Sequence, residues 1–116
     1  MSDLKPQRRV AVLNLVELRT PLPAALKELA TYPWDSVVAY VELNRGHLLH
    51  GVSQYLAGIL TGSELVLWAE TVQGRDDIAL NDEDRDLLAQ ALFELSSPEL
   101  FGSIDQISSV WQAKLR

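Results

Sequence analysis

The sequence predicts a mainly helical, single-domain bundle of five or six helices, and three observations carry that expectation. Two capping boxes, Thr61-Gly62-Ser63-Glu64 and Ser103-Ile104-Asp105-Gln106, each open an apolar stripe of helical spacing. The chain has 116 residues, 47% hydrophobic and 22% charged, the size and composition of one folded domain. It contains no cysteine, so disulfide staples, thiolate metal sites and a cysteine nucleophile are excluded, and apolar burial must hold the fold. The domain is expected to span 1–116, with 1–7 as a flexible end.

Helical punctuation is legible along most of the chain. Thr20-Pro21 opens a helix with Leu22, Leu26 and Leu29 inward, and Tyr32-Pro33 closes it. Asn44 caps a helix running to about Leu60, with Leu48, Val52, Tyr55, Leu56 and Ile59 inward and Gly58 loosening its end. Behind Thr61, Leu65, Trp68, Ala69 and Val72 fall at i, i+3, i+4 and i+7, and Gly74 supplies a left-handed stop. Asn81 or Asp82 begins the next helix, with Leu87, Leu88, Ala91, Leu92 and Leu95 on its buried stripe and acids in its first turn, as the macrodipole favours. Ser97-Pro98 starts a short turn that Gly102 ends. The last helix then buries Ile104, Ile107, Trp111 and Leu115.

Two segments stay open between helix and strand. Val10–Leu18 contains β-branched residues, and Val37–Leu43 alternates as a strand does. Residues 10–18 and 37–43 are therefore the candidates for a short two-stranded element packed on the helices.

Charge is unevenly distributed. Residues 1–61 hold five acids and six bases, whereas 62–116 hold eleven acids and four bases, giving +1 against −7. Such an anionic half repels phosphate, so neither nucleic acid nor an anionic membrane is an expected partner. Arg8-Arg9 before Val10–Val16 faintly mimics a signal peptide, but Asn14 interrupts the apolar run and Glu17 ends it. Gly46–Ser63 is uncharged, yet its two His, two Ser, one Gln and four Gly suit an amphipathic helix better than a membrane span. The expected location is the cytoplasm.

Few residues assemble into recognisable chemistry. His47 and His50 lie one helical turn apart, but zinc needs a third protein ligand, for which only loose candidates such as Glu42 exist. Asp82-x-Asp84-x-Asp86 matches the start of a calcium loop, but Leu87 stands where its turn needs Gly and Phe93 where a bidentate Glu belongs. A weak divalent-ion site from Asp76, Asp77 and Asp82 is the remaining metal possibility. There is no nucleophile elbow and no phosphate-cradling glycine loop, so no enzyme and no cofactor are expected. Trp68 and Trp111 sit in apolar stripes and belong to the core. Trp34, on the loop Tyr32-Pro33-Trp34-Asp35, is open between core and partner anchor.

Tyr55-Leu56-Ala57-Gly58, Trp68-Ala69, Gly74-Arg75-Asp76-Asp77-Ile78, Phe93 to Leu100 and the late Trp111 together resemble an uncharacterised family of small bacterial helical proteins. The resemblance spans about residues 20–115, and its most specific part is the Trp-Ala to Gly-Arg-Asp-Asp-Ile block. It implies a bacterial, cytoplasmic, single-domain protein, and some such small acidic proteins look like immunity partners of toxins. This chain departs from the pattern at Gly62-Ser63 and at the apolar Val66-Leu67.

The expected function is therefore a non-enzymatic protein-binding module, most concretely an immunity-type inhibitor whose acidic surface covers the basic cleft of a toxin. Asp76, Asp77, Asp82, Glu83, Asp84 and Asp86 are the expected contact residues, all facing water, with Glu70 and Trp34 as weaker candidates. The alternatives are a metal-binding protein or metal-assisted hydrolase using His47 and His50, and a structural or oligomerising subunit.

Overall fold

A computed structural model describes residues 4–116 of the chain. In chain order the elements are α1 (Leu4–Val16), α2 (Leu22–Leu29), β1 (Val41–Leu43), α3 (Arg45–Leu56), α4 (Gly62–Gln73), β2 (Ile78–Leu80), α5 (Arg85–Ser96), α6 (Pro98–Phe101) and α7 (Ile104–Leu115). The mainly helical bundle with a short two-stranded sheet is thus the observed fold.

Trp68 is the pin of the core. It is fully buried, and its indole N–H donates to the Leu15 carbonyl at 2.9 Å. Leu15 lies in the last turn of α1, and its carbonyl also accepts from the Leu18 amide at 3.2 Å, so both lone pairs of that oxygen are used and the buried ring N–H is satisfied. The other flank of the ring meets Gly51 of α3, whose backbone comes so close that a Cβ there would sit 2.9 Å from a ring carbon. Trp111 makes a second tie, donating to Glu94 at 2.9 Å and so linking α7 to α5. Around these rings α3 packs chiefly on α7 and α4 on α5, with α1 against α2.

Both capping boxes' N-cap bonds and the apolar stripes of α4 and α5 are realised. The Thr61 hydroxyl accepts from the Glu64 amide while the Glu64 carboxylate accepts from the Thr61 amide, closing the capping box. Leu65, Trp68, Ala69 and Val72 are all buried, as are Leu88, Ala91, Leu92 and Leu95. Ser103 accepts from the Gln106 amide at the start of α7.

Five expectations are corrected. Residues 10–18 do not form a strand: 10–16 complete α1, and Leu18 leaves it at φ 52°. The sheet partner of β1 is instead β2, in parallel register Val41↔Ile78 and Leu43↔Leu80, because the chain crosses back through α3 and α4 before pairing. The helix after it starts at Arg85 and not at Asn81 or Asp82, since the Asn81 amide extends the ladder to the Leu43 carbonyl and its side chain accepts from the Glu83 amide. Gly74 ends α4 at φ −84°, in right-handed geometry; the left-handed glycines are Gly58 (φ 82°) and Gly102 (φ 121°). Gly58 stops α3 early, which turns Leu56 and Ile59 outward while Leu60 becomes the buried residue. As for the end expected to be loose, 4–7 belong to α1, and 1–3 lie outside the described residues.

Candidate functional site

The sheet places Asp77 just before β2 with its side chain fully buried between two arginines. Arg75 forks onto it, Nε to Oδ1 at 2.9 Å and Nη2 to Oδ2 at 2.9 Å. Arg8, reaching from α1, donates through Nε to Oδ2 at 3.1 Å. Both guanidinium groups are themselves nearly buried, at 9% and 12% exposure, so the three charges form one desolvated unit whose remaining donors must also be used.

Those donors fix a loop. Nη2 of Arg8 and Nη2 of Arg75 both donate to the Pro33 carbonyl, at 2.8 and 3.0 Å, and Arg8 also reaches the Asp35 carbonyl at 3.1 Å. The Asp76 amide donates to the Trp34 carbonyl at 2.9 Å, and the Tyr40 amide donates to the Asp77 carbonyl at 2.8 Å. The Tyr40 ring lies beneath the Arg8 guanidinium, 5.1 Å from centroid to charge. The segment from Pro33 to Tyr40 is therefore held by backbone bonds and by cations braced on a buried carboxylate. Above this support Trp34 stands 63% exposed, beside Val37 and Val38, which are also exposed. A concavity lined by Arg8, Asp35, Val37, Val38, Tyr40 and Asp76 opens next to it.

The structure separates the acidic residues named from the sequence into four groups. Asp76 joins the Trp34 loop and is exposed. Asp82, Glu83 and Asp86 are exposed at the turn before α5 and in its first turn, where Asp82 pairs with Arg85 and Asp84, half-buried, with Arg45 at 3.0 Å. Glu70 is exposed on α4, away from both. Asp77 corrects the expectation that 76–86 face water: it is the keystone beneath the loop and presents nothing to a partner, nor is it free to share a metal with Asp76 and Asp82.

Trp34 was legible as a loop residue open between core and partner anchor, and the structure exposes it. Arg8 and Arg75 were not, although Arg75-x-Asp77 offered a hint that the carboxylate had a near neighbour.

No family model, curated protein or solved structure matches this chain. Its chemistry must accordingly be read from its own side chains.

His47 is committed to structure. As the third residue of α3 its Nδ1 accepts from the Asn44 amide at 3.0 Å, completing a reciprocal cap, and Nε2 faces Glu17 at 3.4 Å. The His50 Nε2 lies 3.3 Å from the Gln54 side-chain amide. Among the described residues no three His, Asp or Glu side chains gather as a set able to hold a metal ion. Among them also, no helix is long and apolar enough to cross a membrane. The Glu17 carboxyl, which burial alone would raise, is held below its ordinary value by Arg19 and His47. Tyr55 is pushed up by the hydrogen bond its hydroxyl donates to Asp105, with burial adding to the effect.

Proposed function

We propose that this chain is a non-enzymatic protein-binding module that presents Trp34, rimmed by Asp35 and Asp76, to a basic surface of a partner protein. One observation supports the reading above the others: a tryptophan 63% exposed stands on a loop whose backbone is bonded from below. Large aromatic side chains dominate binding energy at protein interfaces, and a loop ordered before binding loses little entropy on association. Exposing such a ring without a partner wastes apolar area; fixing its loop with a buried ion cluster is what a preformed anchor needs.

The acids supply the second ingredient. Asp35 and Asp76 are exposed and line the concavity next to the Trp34 loop, and the −7 of residues 62–116 adds charge of the same sign. Such a field speeds encounter with a cationic patch and disfavours acidic competitors. In its most concrete form the proposal is an immunity-type inhibitor in a bacterial cytoplasm, whose partner is a toxin with a basic, phosphate-binding cleft; that step rests on the family resemblance and the charge.

The test begins with the partner that co-purifies from the native host. Surface plasmon resonance should find Trp34→Ala about 30-fold weaker, chiefly through faster dissociation, as loss of an anchor worth about 2 kcal/mol requires. Asp76→Lys should slow association, and more so at low salt. Unchanged rates in both variants would remove this loop from the interface.

A further inference from the structure

A second surface, independent of the Trp34 loop, lies along α4 from its N-cap to Glu70. There a groove of about 720 Å³ runs between α4 and the junction of α6 with α7. Val66, Leu67, Pro98 and Ile104 make its apolar lining, and among the described residues Glu70 and Glu99 are the charged ones that line it. Leu67 remains 43% exposed, and both carboxylates face solvent. An apolar trough with two acids at its rim that pair with no cation among the described residues has a definite complement.

We propose that this groove docks a cationic amphipathic helix of a partner protein. Three features select that occupant. The lining on α4 runs from Thr61 to Glu70, about 14 Å of helix, which matches two to three turns of a partner helix laid alongside. Next, the chain has no Lys or Arg between Arg45 and Arg75, nor between Arg85 and Lys114, and these two stretches supply every lining residue. Glu64, Glu70, Asp86, Glu94, Glu99 and Asp105 fall within them, so the field over this part of the chain has one sign. A helix carrying leucine-like residues at i, i+3, i+4 and i+7 with Lys or Arg on both flanks would bury the first set on Val66, Leu67 and Ile104 and place the second against Glu70 and Glu99. Lastly, a second copy of this chain is a poor occupant, because it brings a net charge of −6 to a rim that is already anionic.

The groove is distinct from the site of the proposed function. It uses α4 as far as Glu70, whereas the Trp34 loop is bonded to Asp76, beyond the C-terminal end of that helix.

The experiment titrates the full chain with a synthetic helical peptide of about 14 residues carrying Leu at helical spacing and Lys elsewhere, and with its Glu-for-Lys counterpart. Amide resonances of 62–67 and 98–104 should shift with the lysine peptide and not with the glutamate one. Its affinity should fall by about tenfold or more in Leu67→Lys and in the double reversal Glu70→Lys with Glu99→Lys, weaken as salt rises, and be unchanged in Trp34→Ala. All three altered positions are at the surface, and circular dichroism checks that each variant is folded. Shifts confined to other residues, equal binding of the two peptides, or undiminished affinity in Leu67→Lys would overturn the proposal. So would concentration-dependent dimerisation in sedimentation that Leu67→Lys abolishes.

Discussion

Arg75 closes a two-pronged grip on Asp77, Nε to Oδ1 and Nη2 to Oδ2, both at 2.9 Å, and the same guanidinium holds the Pro33 carbonyl beside Trp34. A buried carboxylate thereby controls the position of an exposed ring it never touches. The cluster is a support for the loop, and its integrity is measurable apart from any binding.

Removing the carboxylate should be costly. Asp77→Ala strands two nearly buried guanidinium groups, and breaking a buried pair from one side destabilises by about 3–5 kcal/mol. Asp76→Ala, one residue away and exposed, should stay within about 0.5 kcal/mol. Urea unfolding of the two variants checks the contrast, and similar midpoints would show that the cluster does not hold the loop.

Gly51 should tolerate no side chain. A Cβ there would lie 2.9 and 3.0 Å from two carbons of the Trp68 ring, which is itself fixed by its bond to Leu15 and cannot retreat. Gly51→Ala should therefore cost about 1–3 kcal/mol, the range of an overpacked core, even though alanine is the better helix former. Thermal unfolding gives the cost, and an unchanged melting temperature would contradict the packing.

Stability should fall at both ends of the pH scale through two named groups. The folded-state pKa of Glu17 lies below its ordinary 4.5, because Arg19 and His47 outweigh the burial that acts to raise it. Its contribution is complete above that value and is lost as pH falls through the lowered one. Tyr55 is the opposite case: its raised pKa gives a contribution complete below pH 10.0 and lost as pH rises further. Glu17→Gln should flatten the acid limb of the unfolding midpoint against pH, and Tyr55→Phe the alkaline limb. Limbs identical to the wild type would exclude these pairs as their source.

His47 separates a structural role from a metal role. His47→Ala removes half of the reciprocal cap of α3 and should cost about 1 kcal/mol, while His50→Ala, at an exposed position, should cost little. Adding zinc should not raise the melting temperature of the wild type. Stoichiometric zinc, lost with His47→Ala, would restore the metal-binding alternative.

What was legible in the sequence was local. The Thr61 and Asn44 caps, the stripe through Trp68 and the stripe through Leu92 each depend on residues within one or two turns, so composition and spacing carry them. The strand pair was not: β1 and β2 have three residues each, too few for a periodicity, and meet only because α3 and α4 return the chain. For the same reason Asp77 looked like one of six solvated acids. Its partner Arg8 is 69 positions away, and only the parallel register brings α1, β1 and the start of β2 together around it. Trp34 was identified, but whether it faced core or solvent depended on that same long-range cluster.

The central claim, that Trp34 is a preformed anchor for a protein partner, is tested most directly by its own resonance. Labelling this chain alone with 5-fluorotryptophan gives one fluorine signal each for Trp34, Trp68 and Trp111, assigned by Trp34→Phe. In the free protein only the Trp34 signal should broaden with a soluble paramagnetic agent, since Trp68 and Trp111 are 0% and 2% exposed. On addition of the co-purified partner the Trp34 signal should shift and lose that broadening, with the other two unmoved. A Trp34 signal that stays equally accessible in the saturated complex would contradict the account.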